Sequence, residues 1–167
     1  ENGGKVTEHC RLAYRGMLSQ SGERTLIGAL VPKGVAHING AQTTTFRETK
    51  LLLNAATLAM SLVADFFVKT TGKANLHYLW ESLPYIEFAP SSRVRVLALS
   101  CLTIAYGDLW KDQWLECFGN ASWTKRDPRL SLNTFSKLLP EWRFGHALRT
   151  DFARRQALVE IDVLVAM

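Results

Sequence analysis

Cysteine is scarce in this chain, and its few cysteines argue against two kinds of site. The 167 residues include three cysteines, an odd number, which lie far apart in the sequence. Neither a disulfide framework nor a zinc site is therefore predicted, and a reducing compartment, the cytoplasm, is the default expectation. The four histidines show no metal-ligand spacing, so we expect no metal site. The cysteines are Cys10, Cys101 and Cys117.

Paired prolines and glycine-rich loops are also missing, which argues against several catalytic sites. All five prolines are isolated, so the chain has no Pro-Pro-aromatic loop that could grip an extruded base. No glycine-rich turn follows a predicted strand, and Gly72-Lys73 lacks the flanking residues of a phosphate-binding loop. We therefore predict that this chain has no catalytic residues and binds no cofactor by itself.

Two short patterns resemble pieces of enzyme sites. Glu48 and Lys50 match half of a metal-dependent nuclease motif, but they open a predicted helix and no aspartate precedes them. Ser122 and Lys125 have the spacing of a Ser-x-x-Lys pair without its companion motifs, and we attribute that spacing to chance. A magnesium-dependent nuclease is therefore the enzyme alternative, which incubation with DNA and magnesium would test.

Long uninterrupted apolar runs are absent as well. A membrane span needs about 20 predominantly apolar residues with few or no charges. The most apolar segment, residues 51–68, contains four polar or charged residues, so we interpret it as a core helix and expect no membrane partner. The start of the chain is polar and shows no secretory signal. The interrupting residues are Asn54, Thr57, Ser61 and Asp65.

The chain does have an excess of positive charge, concentrated in one stretch. Lys and Arg number 20 against 15 acidic residues, which gives a net charge of +5. Residues 121–155 hold eight basic and three acidic side chains, so this stretch accounts for the whole excess. It favours an anionic partner, and arginine, which outnumbers lysine, suits phosphate and guanine edges. A solvated helix face is the alternative interpretation.

The pattern of apolar residues predicts one α+β domain over residues 1–167, with a β-rich part at 1–45 and a predominantly helical part at 46–167. The run at 25–31 (TLIGALV) has the length of a strand. Pro32 and Gly34 form a turn before a second extended run at 35–38, which predicts a hairpin. The N-terminal part is thus expected to be a short antiparallel sheet or hairpin.

One long buried helix is predicted to dominate the helical part. Thr45 is the expected cap of a helix that begins at Phe46 and is apolar on nearly all sides. Gly72 is its expected end, because glycine readily adopts the left-handed conformation that closes a helix. Such a helix is typical of the centre of a domain.

Shorter helices are predicted after it. Thr150 is expected to cap the last one, which begins at Asp151 and stops inside an apolar pattern. Natural termini are usually polar and frayed, so we expect the chain to be a truncated piece of a longer protein. The other predicted helices cover about 91–105, 108–118 and 130–139.

Segments at both ends and in the middle resemble parts of one protein family. Residues 11–15 (RLAYR) and 23–32 (ERTLIGALVP) resemble strands of the target-recognition region of type IIG restriction-modification enzymes and related defence-island adenine methyltransferases. The block from Leu53-Asn54 through Phe66-Phe67 to Leu83-Pro84 resembles the helix, loop and closing proline of the TaqI-like specificity domain. Residues 154–167 (RRQALVEIDVLVAM) resemble a helix near the family's C-terminus.

This resemblance implies a function in DNA recognition. The chain would be the recognition domain of a site-specific adenine-N6 DNA methyltransferase in a restriction-modification or phage-defence system. In the family a catalytic domain precedes this region and uses S-adenosylmethionine. The implied partners are therefore double-stranded DNA and the catalytic methyltransferase domain of the same polypeptide.

The resemblance places base readout in the loop after the long helix. Asparagine can bond adenine through two hydrogen bonds and lysine can address guanine. The alternative is a helix C-terminal turn whose lysines merely complement the helix dipole. Relatives often have arginine where this chain has Lys69 and Thr70, so their base preference cannot be transferred to it. The readout candidates are Lys69, Thr70, Thr71, Lys73, Asn75, His77 and Tyr78.

Phosphate contacts are expected from two other regions. Arg15 and Arg24 lie on the predicted strands and can reach the DNA backbone, with structural ion pairs as the alternative. A basic loop beside Trp123 is predicted to clamp phosphates, with a solvated loop as the alternative. The clamp candidates are Lys125, Arg126 and Arg129.

A helical scaffold that docks a partner protein, without DNA readout, is the main alternative function. Aromatic side chains are enriched at protein interfaces. Trp110 and Trp114, however, stand at helical spacing and suit a core equally well. Salt-sensitive DNA binding would separate the two functions. The tryptophans in question are Trp110, Trp114, Trp123 and Trp142.

Overall fold

A three-stranded antiparallel sheet lies near the N-terminus, in a computed structural model that describes residues 4–19, 21–76 and 82–167. The strands are β1 (Arg11–Arg15), β2 (Gly28–Val31) and β3 (Ala41–Thr44), in the order β2-β1-β3. Leu12 pairs with Leu30 in β2 and with Thr44 in β3. Leu12 and Tyr14 alternate along β1 and are buried in the core. The α+β class predicted from the sequence is confirmed.

The predicted hairpin, however, is wrong in its pairing. The run that contains β2 pairs with β1 and not with residues 35–38, which are all exposed and belong to no strand. The third strand instead falls in residues 41–44, a polar segment without a strand pattern. A half-buried edge strand needs little apolar surface, and threonine has a high strand propensity, so the polar sequence AQTT can form it.

The predicted long helix is also corrected, because it consists of two helices. They are α1 (Thr49–Ala59) and α2 (Leu62–Thr70), and their axes are bent by 68°. The hydroxyl of Ser61 accepts a hydrogen bond from the Ala64 N–H, so Ser61 caps a new helix in the middle of the apolar pattern. The first helix begins at Thr49 with Glu48 as its cap position, and Thr45 is not the cap.

The remaining helices agree in part with the expectations. They are α3 (Pro90–Ser100), α4 (Gly107–Asp112) and α5 (Asp151–Ala166). Thr150 caps α5 by accepting a hydrogen bond from the Ala153 N–H, as predicted. Residues 130–139 form turns and no helix, so that prediction is wrong. Both α3 and α4 end earlier than expected.

The helix α3 lies deep in the core. Residues 94–99 along α3 are buried without interruption, because α1 packs on one side of this helix and α5 on another. The sheet covers α1 from the other direction, through β1 and β2. One apolar core therefore includes side chains from the sheet and from all five helices.

In the part of the chain that the structure describes, no single helix has the length and apolar composition that a membrane crossing requires. The bent pair α1 and α2 meets that requirement only when its two helices are taken together.

Candidate nucleic-acid interface

The start of the predicted readout loop makes contacts within the domain. The Lys69 ammonium donates a hydrogen bond of 3.0 Å to the Gly22 carbonyl. The hydroxyls of Thr70 and Thr71 donate to carbonyls of the preceding helical turn, at 2.8 and 2.7 Å. These three side chains thus make hydrogen bonds within the domain at the end of α2.

The next residues run along the end of β1 and remain accessible. Gly72 has a positive φ of 66°, which turns the chain at the end of α2 as predicted. Asn75 forms an isolated antiparallel bridge with Met17, and Lys73 and Asn75 are both exposed. The predicted candidates His77 and Tyr78 lie outside the described residues. Lys73 and Asn75 therefore stay as the readout candidates whose side chains reach solvent.

Arg24 is a structural residue. Its guanidinium donates to the Met60 carbonyl at 2.8 Å and lies 3.5 Å from the Asp162 carboxylate. Asp162 also accepts a hydrogen bond from the Leu62 N–H, so this ion pair joins α5 to the start of α2. Arg24 precedes β2 and is not on a strand, whereas Arg15 ends β1 and is exposed.

The predicted phosphate clamp is an exposed loop in which Asp127 forms ion pairs with Arg129 and Lys125. Arg129 donates to both carboxylate oxygens of Asp127, at 2.9 and 2.8 Å, and Lys125 lies 3.9 Å from the same carboxylate. The Arg129 hydrogen bonds hold the pKa of Asp127 well below its usual range. Arg126 is exposed, and among the described residues it has no ion pair.

Arg129 also forms part of a larger feature, which we call the basic groove. The groove has a volume of about 350 Å³ and is lined by Arg129, Lys137 and Arg149, with no acidic side chain among its described lining residues. The Phe144 ring also lines it and is 67% exposed. Arg129, Lys137 and Arg149 all come from the basic stretch at 121–155, which the fold wraps around this opening. Its polar lining residues include Asn133, Thr134 and Thr150.

The cations of the groove are held in defined positions. The Arg149 guanidinium stacks on the Phe144 ring, 3.4 Å from its centroid, and donates to the carbonyls of Phe144 and Leu102 at 3.1 and 2.7 Å. Arg129 stacks on Phe152 at 3.6 Å. Stacking of a guanidinium on an aromatic ring is favourable and limits its motion. Two of the three groove cations are therefore fixed before any ligand arrives.

The wall that carries Phe144 rests on the core. His146 stacks on the buried Trp110 with ring centroids 5.3 Å apart, and the Leu148 N–H donates to the Ala98 carbonyl of α3. Burial and the charge of Arg143 lower the pKa of His146, so the ring is neutral at pH 7. The Arg143 N–H donates to Nδ1 of His146, which places the ring's proton on Nε2.

The chain segment that leads into the basic loop is anchored by a buried ion pair. Glu160 of α5 accepts hydrogen bonds from Arg95 of α3 and from the N–H and hydroxyl of Thr124. Arg95 also donates to the Ser122 carbonyl at 2.8 Å. Residues 122–124 are therefore tied to two helices, and the basic loop that follows them starts from a fixed point.

Lys137, Phe144 and Arg149 are groove residues that the sequence analysis did not select. Lys137 and Arg149 were counted in the positive excess of residues 121–155, but no motif distinguished them from the other cations there. Phe144 carried no signal, because an isolated aromatic residue between basic residues is compatible with a core position. Only the folded chain shows which members of the stretch share an opening.

The tryptophans proposed for a protein interface make contacts inside the domain. Trp110 is fully buried and donates to the Leu139 carbonyl, and Trp142 donates to the Cys101 carbonyl. Trp123 donates to the Thr134 hydroxyl, while Trp114 packs edge-on against Phe118. Their indole rings therefore serve the core.

Glu48 and Lys50, the residues of the nuclease-like pattern, are not part of a metal cluster. Lys50 forms an ion pair with Glu87, and Glu48 stands at the cap position of α1. Within residues 4–19, 21–76 and 82–167, no three His, Cys, Asp or Glu side chains are grouped closely enough to hold a metal ion.

Fold and groove together define this chain as an α+β domain with a basic groove that exposes an aromatic ring. No protein-family model, no curated protein and no solved structure matches the chain. The resemblance to TaqI-like specificity domains accordingly stays an expectation from the sequence motifs.

Proposed function

We propose that this chain binds DNA and that the basic groove contacts the phosphate backbone. The observation that carries the proposal is the grouping of Arg129, Lys137 and Arg149 around one opening whose described lining includes no carboxylate. Like charges placed together repel one another in the free protein, and an anionic ligand removes that cost. On nucleic acids, the phosphate groups are the anions that arginine and lysine side chains contact.

The donors left over in the groove suit phosphate oxygens. Arginine carries five N–H donors, and the contacts described for Arg149 use two of its nitrogens, so donors remain for a ligand. Lys137 is exposed and has no ion pair among the described residues. The charge of Arg129 is partly neutralised by Asp127, so this side chain mainly lines the groove in a fixed position. The effective charge offered to a ligand is thus smaller than the three cations alone suggest.

The motif resemblance supplies the wider context of the proposal. In this context the chain is the recognition domain of an adenine-specific DNA methyltransferase, whose catalytic domain uses S-adenosylmethionine. Phosphate contacts in the groove would provide affinity and register, while base edges would be read by exposed side chains such as Lys73 and Asn75. This division of labour agrees with the exposure of both residues.

An apolar surface favours the second candidate function, a protein-docking module. The outward face of α2 presents Leu62 and Phe66, and Phe66 is 70% exposed. Val159 and Val163 of α5, which contacts α2, are about half exposed. Contiguous apolar surface on a domain commonly marks an interaction site. This surface is compatible with DNA binding elsewhere on the domain, for example if the catalytic domain covers it.

The salt dependence of DNA binding tests the main proposal. Affinity of the chain for a fluorescein-labelled duplex would be measured by anisotropy over a series of salt concentrations. If Lys137 and Arg149 contact phosphates, with a smaller contribution from Arg129, the logarithm of the association constant should fall against the logarithm of salt with a slope of roughly −2 to −3. A chain that shows no binding at low salt, or a slope near zero, would contradict the proposal.

A further inference from the structure

The exposed Phe144 ring is a feature that phosphate binding alone does not require. The ring lies in a cationic groove and is 67% exposed, although a phenylalanine in water loses the free energy that burial would provide. Arg149 covers one of its faces, at 3.4 Å from the centroid. A ring with one covered face and high exposure leaves surface for a second flat group.

We propose that the basic groove accepts one unpaired nucleotide of the DNA, with its base stacked on Phe144 and its phosphate bound by Arg149 and Lys137. The proposal rests on the proposed function, because it concerns the same groove and the same polymer. Aromatic side chains beside a positively charged groove are the usual way in which proteins bind unpaired nucleotides. A base inside a regular duplex is covered by its neighbours on both faces and cannot stack on a protein ring.

The dimensions and lining of the groove fit this ligand. Its volume of about 350 Å³ lies within the range of pockets that hold small organic ligands. Asn133 is exposed in the lining and offers both a donor and an acceptor to a base edge.

The groove is also rigid enough to select a stacked base. Phe144 belongs to a short turn that His146 fixes by stacking on Trp110, and Arg149 is fixed by two carbonyls. A preformed stacking surface costs less conformational entropy on binding than a flexible one. The described lining residues include no carboxylate, and the Asp127 carboxylate is paired with Arg129.

Three matched duplexes test the proposal by fluorescence anisotropy. One is fully paired, the second carries one bulged nucleotide, and the third carries the same bulge without its base. We expect the base bulge to bind about tenfold more tightly than the other two, which corresponds to stacking of one base. Phe144→Ala should remove this preference, so that the base bulge binds no more tightly than the abasic bulge, and Phe144→Trp should keep it.

Leu132→Ala provides the control, because Leu132 is 80% exposed and does not line the groove. It should leave all three affinities unchanged, and circular dichroism would verify the fold of each variant. Equal binding of the base and abasic bulges by the wild-type chain would overturn this proposal and leave the proposed function standing. Failure to bind any of the three duplexes would overturn both.

Discussion

Arg95 and Glu160 form a buried ion pair, with 2.5 Å between Nη2 of the guanidinium and a carboxylate oxygen. Arg95 lies on α3 and Glu160 on α5, and both side chains are almost completely shielded from water. The same carboxylate accepts from Thr124, and the same guanidinium donates to Ser122. This pair therefore connects α3, α5 and the segment that leads into the basic loop.

Glu160→Gln should destabilise the domain strongly. The substitution keeps the shape of the side chain but leaves the Arg95 guanidinium buried without a counter-charge, which costs about 3 kcal/mol or more of unfolding free energy. Urea denaturation followed by tryptophan fluorescence would measure the loss. Glu116→Gln is the matched control, because Glu116 is exposed, and its effect should stay within about 0.5 kcal/mol. Similar losses in both variants would contradict the role of the pair.

The free energy of unfolding should depend on pH through the titration of the Glu160 carboxylate. Burial alone would raise the pKa of Glu160, but hydrogen bonds from Gln156 and Thr124 and the charge of Arg95 hold its pKa below the ordinary 4.5. The unfolded chain thus binds a proton more readily, and the stabilisation present above pH 4.5 is lost as the pH falls through the lower folded pKa.

Urea denaturation of the wild type and Glu160→Gln at a series of pH values would test this. The difference in unfolding free energy between the two should be largest near neutral pH and shrink below pH 4.5, because the variant lacks this titration. A difference that is constant down to acid pH would show that the pKa of Glu160 is not lowered by folding.

Gly28 should resist replacement because β2 approaches α1 closely there. A Cβ added at Gly28 would lie 2.8 Å from the Cβ of Ala59. Gly28→Ala is therefore expected to lower the unfolding free energy by about 1 to 3 kcal/mol through overpacking. At Gly119 an added Cβ meets nothing within 4 Å, so Gly119→Ala serves as the control. Equal thermal stability of both variants would contradict the close packing of β2 on α1.

Parts of the fold could be predicted from the sequence, but the strand β3, the turns at 130–139 and the break between α1 and α2 could not. The strand β2 and the Thr150 cap of α5 follow from local patterns, whereas the strand β1 was expected only from the family resemblance of residues 11–15; the structure contains all three. The break at Ser61 depends on tertiary contacts: the Asp65 carboxylate on α2 accepts hydrogen bonds from the N–H groups of Thr25 and Leu26. Helical periodicity cannot reveal a partner about 40 residues away.

The sequence predicted the excess of positive charge in residues 121–155, but it did not predict the groove. Arg129, Lys137 and Arg149 follow no helical or strand spacing, so no periodic pattern places them on one face. Long-range contacts bring them together, including the Arg95–Glu160 pair, whose members are 65 residues apart. The predicted readout loop likewise could not be divided in advance into residues with structural contacts, such as Lys69, and exposed ones, such as Asn75.

Single substitutions should distinguish residues that read bases from residues that contact the DNA backbone. Asn75→Ala is expected to relax sequence choice at one base pair, at a cost of roughly 1 to 3 kcal/mol for the preferred base. Arg126→Ala should weaken binding to all duplexes to a similar extent, because phosphate contacts carry no sequence information. Selection from a randomised duplex pool would compare the two. If Arg126→Ala changed the preference at one position only, its assignment to the backbone would be wrong.

The most direct test of the basic groove compares Lys137→Gln with Lys111→Gln. Both substitutions remove one positive charge from an exposed side chain, but only Lys137 lines the groove. Duplex affinity would be measured by anisotropy over the same series of salt concentrations for both variants and the wild type. Lys137→Gln should weaken binding and reduce the magnitude of the salt slope by about one, while Lys111→Gln should match the wild type. Identical behaviour of the two variants would contradict the claim that the groove binds the DNA backbone.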